Sequence, residues 1–181
     1  YIVGLTGGSG TGKTTALNVL RGMGAVCIDA DELYHTITRT SQEMKREIIS
    51  RFGDVYDGDT LNRKQLGNVV FSDPAALADL NAITHKYVSS ETNRILREAA
   101  MNGVTLAALD AIGIFEGGAD KLCAAVFGVI APREVRIERL IAREGISREY
   151  AEKRISAQKS DEYYKEVCTA CLVNDGTVEE F

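Results

Sequence analysis

The chain is poor in residues that staple or interrupt a fold. Its 181 residues include two prolines, four cysteines and two histidines. So few prolines leave few sharp stops, and neither an internal repeat nor a low-complexity linker divides the chain. His35 and His85 have no partner at metal-ligand spacing. Among the cysteines only Cys168 and Cys171 form a CxxC, with Cys27 and Cys123 standing apart, so neither a zinc site nor a disulfide framework is expected. A thioredoxin-type motif sits near the start of a βαβ unit, whereas this CxxC lies far along the chain before a short apolar stretch. The thiols therefore read as small apolar side chains in a reduced interior. No apolar run approaches the roughly 20 residues that span a bilayer, and no basic-then-apolar leader precedes the first strand, so a cytoplasmic protein with no membrane partner is expected. Lys and Arg number 21 against 26 Asp and Glu, a net charge of -5. A dedicated binder of duplex DNA or of an anionic membrane needs a net basic surface, which excludes nucleic acid as a partner class and leaves any anion to be held locally.

What is present is an alternation of apolar runs and helical patterns. Residues 1–5 form a short strand that runs into the glycine-rich residues 6–12, and residues 13–22 then carry Ala16, Leu17 and Leu20 at helical spacing. Residues 25–28, 104–109 and 124–130 are further strands, and a last one runs through Leu172 and Val173. This order predicts a parallel sheet with crossover helices. About 70 residues between the second and third strands contain no strong strand pattern and are too long for an ordinary crossover. They read as helical, with Thr40 and Glu43 making a capping box, Asn62 and Gln65 a second cap, and Asp73 capping a helix that opens on Pro74. A shorter, strongly charged helical insertion runs from 133 to about 167. A chain of this length buries roughly 70% of its unfolded surface, enough for one substantial core, so residues 1–181 are expected to be a single domain.

The strongest signal is Gly7-Gly8-Ser9-Gly10-Thr11-Gly12-Lys13-Thr14, which matches GxxxxGK[ST] between a strand and a helix. Glycines let successive N–H groups converge on phosphate oxygens, and the following helix points its positive end at the same place. In this reading Gly8, Gly10, Thr11 and Gly12 cradle ATP and Lys13 reaches the β- and γ-phosphates. Thr14 supplies a hydroxyl to Mg²⁺, and Thr15 contacts the α-phosphate. The fold class expected is α/β, a P-loop NTPase-type parallel sheet flanked by helices.

Ligands in open α/β sheets lie at the carboxyl ends of the strands. Asp29-Ala30-Asp31 ends the second strand, and were that strand the neighbour of the phosphate loop, these carboxylates would stand near the γ-phosphate, one of them to accept the acceptor's proton. Asp29 or Asp31 is also able to cap a helix beginning at Glu32. Asp110 ends the third strand, placed to hold Mg²⁺ through water or to form a turn. Arg133, Arg136, Arg139 and Arg143 follow at spacings of three, three and four with no acid three or four residues away, an arrangement that an ATP phosphate would compensate, as would acids elsewhere in the fold. Ser147 caps a further helix carrying Lys153 and Arg154, with Gln158 and Lys159 following, and the basic hairpin suits a lid.

Taken together these strings resemble the dephospho-CoA kinase family over nearly the whole chain. The resemblance rests on Gly4-Leu5-Thr6-Gly7-Gly8 leading into Gly12-Lys13-Thr14, on Ile28-Asp29-Ala30-Asp31, on Leu66-Gly67 with Val70-Phe71-Ser72-Asp73-Pro74, and on Leu80-Asn81-Ala82-Ile83-Thr84-His85. It continues through Phe115-Glu116, Arg139 with Arg143, and Asn174-Asp175-Gly176. It implies transfer of the ATP γ-phosphate to the ribose 3′-hydroxyl of dephospho-CoA, with Asp31 as catalytic base and Lys13 and Arg139 as further catalytic residues. Arg139 and Arg143 would face the ATP phosphates from a lid at 133–167, and Asn174 and Gly176 would border the adenine. Asp29, Asp31, His85, Phe115 and Glu116 would serve the acceptor, with residues 31–103 as a helical acceptor-binding insertion. The chain departs from the family pattern at Ala111-Ile112-Gly113-Ile114, where a proline and leucines are usual, and at Lys86 and Val173. A kinase of the nucleoside-phosphate type would share the loop and lid with a different acceptor insertion. A nucleotide-binding switch is a separate class, against which stands the lack of an Asn-Lys-x-Asp guanine-reading string.

Overall fold

The computed structural model describes residues 1–177 and 180–181. Two compact units are present, one of Tyr1–Ile28 with Ala99–Phe181 and one of Asp29–Glu98. In the first, β1 (Ile2–Thr6), β2 (Val26–Asp29), β5 (Ala107–Asp110), β6 (Ala125–Ile130) and β7 (Ala170–Val173) form a sheet in the order β2-β5-β1-β6-β7. β1 pairs in parallel with both β5 and β6, and β6 with β7. The parallel α/β class expected from the alternating pattern is therefore what the chain adopts. The condition attached to Asp29 and Asp31, that the second strand neighbour the phosphate loop, is not met, since β5 rather than β2 lies beside β1. Burial accompanies this order: all four residues of β5 are buried, as a strand covered on both faces must be, whereas β2 has Val26 and Cys27 half-buried and ends on the exposed Asp29, which suits it to an edge.

The sheet is covered by α1 (Lys13–Gly22), which packs Ala16 and Leu17 against Leu5, Ala108 and Val129. Each fully buried leucine contributes about 1.5–3 kcal/mol to this core. Beyond β6, Pro132 opens α6 (Arg133–Glu144), Gly145 closes it in the left-handed region at φ 66°, and Ser147 caps α7 (Arg148–Ser156) by accepting from the Tyr150 N–H. Ile137 and Leu140 pack on Ala151 and Ile155 to hold these two helices together. α8 (Asp161–Val167) then leads into β7. The Cys168 and Cys171 sulfurs lie against Gly128 of β6, where an added Cβ would meet them at 3.1 and 3.0 Å. Burial pushes the Cys168 thiol up to about 11 and raises that of Cys171 as well. No helix among the described residues is long and apolar enough to cross a membrane.

The second unit is built from α2 (Ala30–Thr40), α3 (Gln42–Phe52), α4 (Arg63–Val70) and most of α5 (Pro74–Met101), whose last residues belong to the first unit. Its own core joins Ile37, Met44, Ile48, Phe52, Leu66, Val70 and Ile83. Asn62 caps α4 by accepting from the Gln65 N–H, and Asp73 accepts from the Ala75 N–H at the start of α5. The segment also contains a hairpin that the sequence pattern does not reveal, β3 (Tyr56–Asp57) and β4 (Thr60–Leu61), joined through Gly58 at φ 62°. Strands of two residues are too short to show alternation.

The cap before α3 is also corrected by one residue. Ser41, not Thr40, accepts the Met44 N–H at 3.1 Å, while the Thr40 hydroxyl turns back to the Thr36 carbonyl inside α2. Ser41→Ala should therefore lower unfolding free energy by about 1 kcal/mol. Thr40→Ala should stay within about 0.5 kcal/mol. Urea denaturation of the two variants checks the assignment, and the reverse order of effects would return the cap to Thr40.

Candidate active site

β1 delivers the glycine-rich loop, and the Thr6 hydroxyl at its end donates to the Ile112 carbonyl at 3.1 Å. Thr11 is buried and donates from Oγ1 to the Gly8 carbonyl at 2.9 Å, so this threonine shapes the loop from within. Gly12 has φ 101°, a conformation that side chains rarely adopt, and a Cβ there would run into Nδ2 of Asn174. Only glycine meets both conditions. α1 begins at Lys13 with no side-chain cap and no acid in its first turn. Its first N–H groups and positive end are thus available to an anion.

Lys13 folds back over the loop, its Nζ donating to the Gly7 carbonyl at 3.2 Å and lying 4.0 Å from Oδ1 of Asp110. Asp110 is buried at the end of β5, and Thr14, next to Lys13 in the first turn of α1, lines the cavity over the loop. One hard carboxylate and one hydroxyl are a donor set that fits Mg²⁺, an ion that keeps waters and takes its remaining ligands from substrate phosphates. No group of three or more His, Cys, Asp or Glu suited to a metal occurs among the described residues.

Opposite α1, Asn174 closes the loop from the end of β7. Its Nδ2 donates to the Thr11 carbonyl and its Oδ1 accepts from Arg139, both at 2.9 Å. Arg139 donates further to the carbonyls of Gly10 at 3.4 Å, Asn174 at 3.3 Å and Gly176 at 3.2 Å. Between these groups lies a cavity of about 480 Å³ lined by Gly8, Ser9, Gly10, Gly12, Lys13, Thr14, Thr15, Ile112, Arg139, Arg143, Arg154 and Asn174. Glu144 takes Arg143 and Arg154 at 2.5 Å each, and the two arginines hold its carboxyl below the usual carboxylate range. Arg154, read from sequence only as part of a basic hairpin, thus stands at the cavity beside the arginines expected there.

The arginine row does not act as one face. Each three-residue step falls about 60° short of a full turn, so the row drifts around the helix. Arg133 is exposed and 3.8 Å from Glu134, Arg136 is buried beneath the loop 3.8 Å from Asp161, and Arg139 and Arg143 reach the cavity. Acids outside the helical spacing answer the repulsion that the row implies. Burial pushes the Arg136 guanidinium below its ordinary value, opposed by Asp161 and Tyr164.

The residues expected to serve the acceptor are divided between the two units. Asp29 caps α2, accepting from the N–H groups of Asp31 at 2.9 Å and Glu32 at 3.0 Å. Asp31 in the first turn of α2 and His85 on α5 are exposed residues of the Asp29–Glu98 unit. Phe115 is half-buried in the first unit, and the exposed Glu116 lies 3.6 Å from Lys159.

A dephospho-CoA kinase family profile matches residues 1–180. The chain belongs to the dephospho-CoA kinase family. A dephospho-CoA kinase of Geobacter sulfurreducens is 36% identical, the match covering 99% of this chain and 92% of that one. A dephospho-CoA kinase of Deinococcus radiodurans is 38% identical, covering 98% and 85%. The crystal structure of a Thermus thermophilus protein superposes with a TM-score of 0.79 at 33% identity, covering 99% of this chain and 91% of that chain. Against the dephospho-CoA kinase pattern, the departures at 111–114 and at Lys86 have visible accommodations. Ile114 is fully buried, Ile112 lines the cavity, and a Cβ at Gly113 would meet only Glu116, at 3.7 Å. Lys86 pairs with Glu47 at 2.8 Å, and the third departure, Val173, is exposed on β7.

Proposed function

We propose that the chain transfers the γ-phosphate of ATP to the ribose 3′-hydroxyl of dephospho-CoA, yielding coenzyme A and ADP in the cytoplasm, with Mg²⁺ as cofactor. The observation that carries the transfer chemistry is the meeting of Lys13, Arg139, Arg143 and Arg154 in one cavity over the uncapped start of α1. Membership of the dephospho-CoA kinase family supports the acceptor. Phosphoryl transfer asks the protein chiefly for positioning and for neutralisation of charge on the transferring group. The loop N–H groups and Lys13 bind the β- and γ-phosphates, and the lid residues Arg139 and Arg143 hold the transferring group. Thr14 and, through water, Asp110 would hold Mg²⁺, which would supply further charge neutralisation on the phosphates. Asp31 takes the proton of the acceptor hydroxyl as its oxygen bonds to the γ-phosphorus, and the bond to the bridging oxygen of ADP breaks. Asp29 fixes the start of α2 and so orients Asp31, while Phe115, Glu116 and His85 serve the acceptor, and Asn174 and Gly176 border the adenine. Residues 31–103 act as acceptor-binding insertion and 133–167 as lid.

The reading predicts that ADP release from the purified chain with ATP and Mg²⁺ depends on added dephospho-CoA and yields coenzyme A. An acceptor panel run beside it decides the substrate. Release with a nucleoside monophosphate in its place would overturn dephospho-CoA as acceptor, and tight GDP binding without transfer to any acceptor would overturn the kinase reading.

A further inference from the structure

Ser9 sits in the middle of the glycine-rich loop and is 8% exposed. Each of its polar atoms is taken by one of two side chains far along the sequence. Its N–H donates to Oε1 of Gln158 at 2.9 Å, its hydroxyl accepts from Nε2 of Gln158 at 2.8 Å, and its carbonyl accepts from Nε of Arg136 at 3.0 Å. Arg136 also donates to Oε1 of Gln158 at 2.8 Å, so amide and guanidinium form one brace. The brace lies hard against the loop. A Cβ at Gly8 would run into the Arg136 guanidinium and stand 2.8 Å from Oε1 of Gln158, and one at Gly10 would stand 2.8 Å from the Arg136 carbonyl.

A loop carrying Gly7, Gly8, Gly10 and Gly12 has much backbone freedom to lose, about 1–2 kcal/mol per residue fixed. Its N–H groups bind phosphate well only if they already converge. Groups outside the loop must hold them so: Asn174 and Arg139 reach the carbonyls of Thr11 and Gly10, and Ser9 is where a further hold is applied. Gln158 lies in the turn between α7 and α8, with its own N–H bonded to the Ile155 carbonyl at the end of α7. Its amide is matched to Ser9 donor for acceptor, a pairing that a role of filling space does not require.

We propose that Gln158 is a positioning residue for ATP binding: acting through Ser9 and braced by Arg136, it holds the glycine-rich loop in its phosphate-receiving shape, so the turn between α7 and α8 sets the affinity for ATP. The inference rests on the kinase reading only for the identity of the nucleotide and not for the acceptor.

Gln158→Met keeps the length and volume of the side chain and removes both hydrogen bonds between Gln158 and Ser9. Calorimetric titration with Mg-ATP should show Kd raised about tenfold. KM for ATP should rise alongside it, with KM for the acceptor and the thermal midpoint little changed. Ser9→Ala, which removes only the hydroxyl, should raise Kd less, and the double variant should be no weaker than Gln158→Met alone because both act on one contact. A wild-type Kd in Gln158→Met overturns the proposal, as do strictly additive effects or equal losses for both substrates. If Gln158→Met does not fold, Ser9→Ala decides in the same titration: a raised Kd supports the proposal and an unchanged one overturns it. A wild-type chain that binds Mg-ATP but phosphorylates some other acceptor overturns the dephospho-CoA assignment and leaves this test in force, whereas one that fails to bind Mg-ATP overturns both.

Discussion

Asp31→Asn is expected to lower turnover about 10²- to 10⁴-fold, the range over which a positioned general base contributes. The substitution keeps the size of the side chain and removes its ability to take a proton. ATP is held by other residues in this mechanism, so calorimetric Kd for Mg-ATP should change less than about twofold, the pattern of an interaction made only in the transition state. Asp29 separates chemistry from folding at the same strand end. Its carboxylate already accepts two N–H groups at the start of α2, and asparagine caps a helix about as well. Asp29→Asn should thus leave stability within about 0.5 kcal/mol. Full activity in Asp31→Asn would overturn its assignment as base.

Lys13→Met should act on both binding and turnover, lowering kcat/KM for ATP by about 10²- to 10³-fold, the loss seen when a preorganised electrostatic partner is removed from a transition state. The ammonium is held between the Gly7 carbonyl and the Asp110 carboxylate, so it already stands over the loop before nucleotide arrives. Lys13→Arg should not restore the loss. The planar guanidinium is bulkier and presents its donors in a fixed fork, where this site is shaped around a single compact charge. Steady-state kinetics with saturating acceptor measures both variants. Retention of kcat/KM within about threefold in Lys13→Met would remove this residue from the mechanism.

The parts of the fold legible in the sequence are those that neighbouring residues determine. A strand, a glycine-rich turn and a helix opening on Lys13 are local events, and the structure has each. Asn62, Asp73 and Ser147 show themselves as caps for the same reason, while at Thr40-Ser41 two adjacent hydroxyls compete and only the path of the chain chooses between them. Strand order is different. Nothing within 25–28 or 104–109 states which will lie beside β1, because the choice depends on how much of each strand both faces of the sheet can cover. The site divides along the same line. Helical spacing identifies the row from Arg133 to Arg143 but treats Arg136 as the equal of Arg139 and Arg143, when a drift of about 60° buries it under the loop. Gln158 and Arg154 carry no local signal of their destination, since each meets its partners through contacts across the fold.

The wiring of the glycine-rich loop also dictates when, during synthesis, the chain can first hold nucleotide. Ser9 awaits a partner 149 positions later, Gly10 one 129 later, and the Thr11 carbonyl one 163 later. β1 itself leaves the ribosome first among the strands and lies between β5 and β6, both made more than a hundred residues afterwards. Contacts this distant form only after a large closure entropy has been overcome. A nascent chain halted before Asn174 therefore carries the whole phosphate-binding motif in its covalent sequence and lacks the side chain that shuts it.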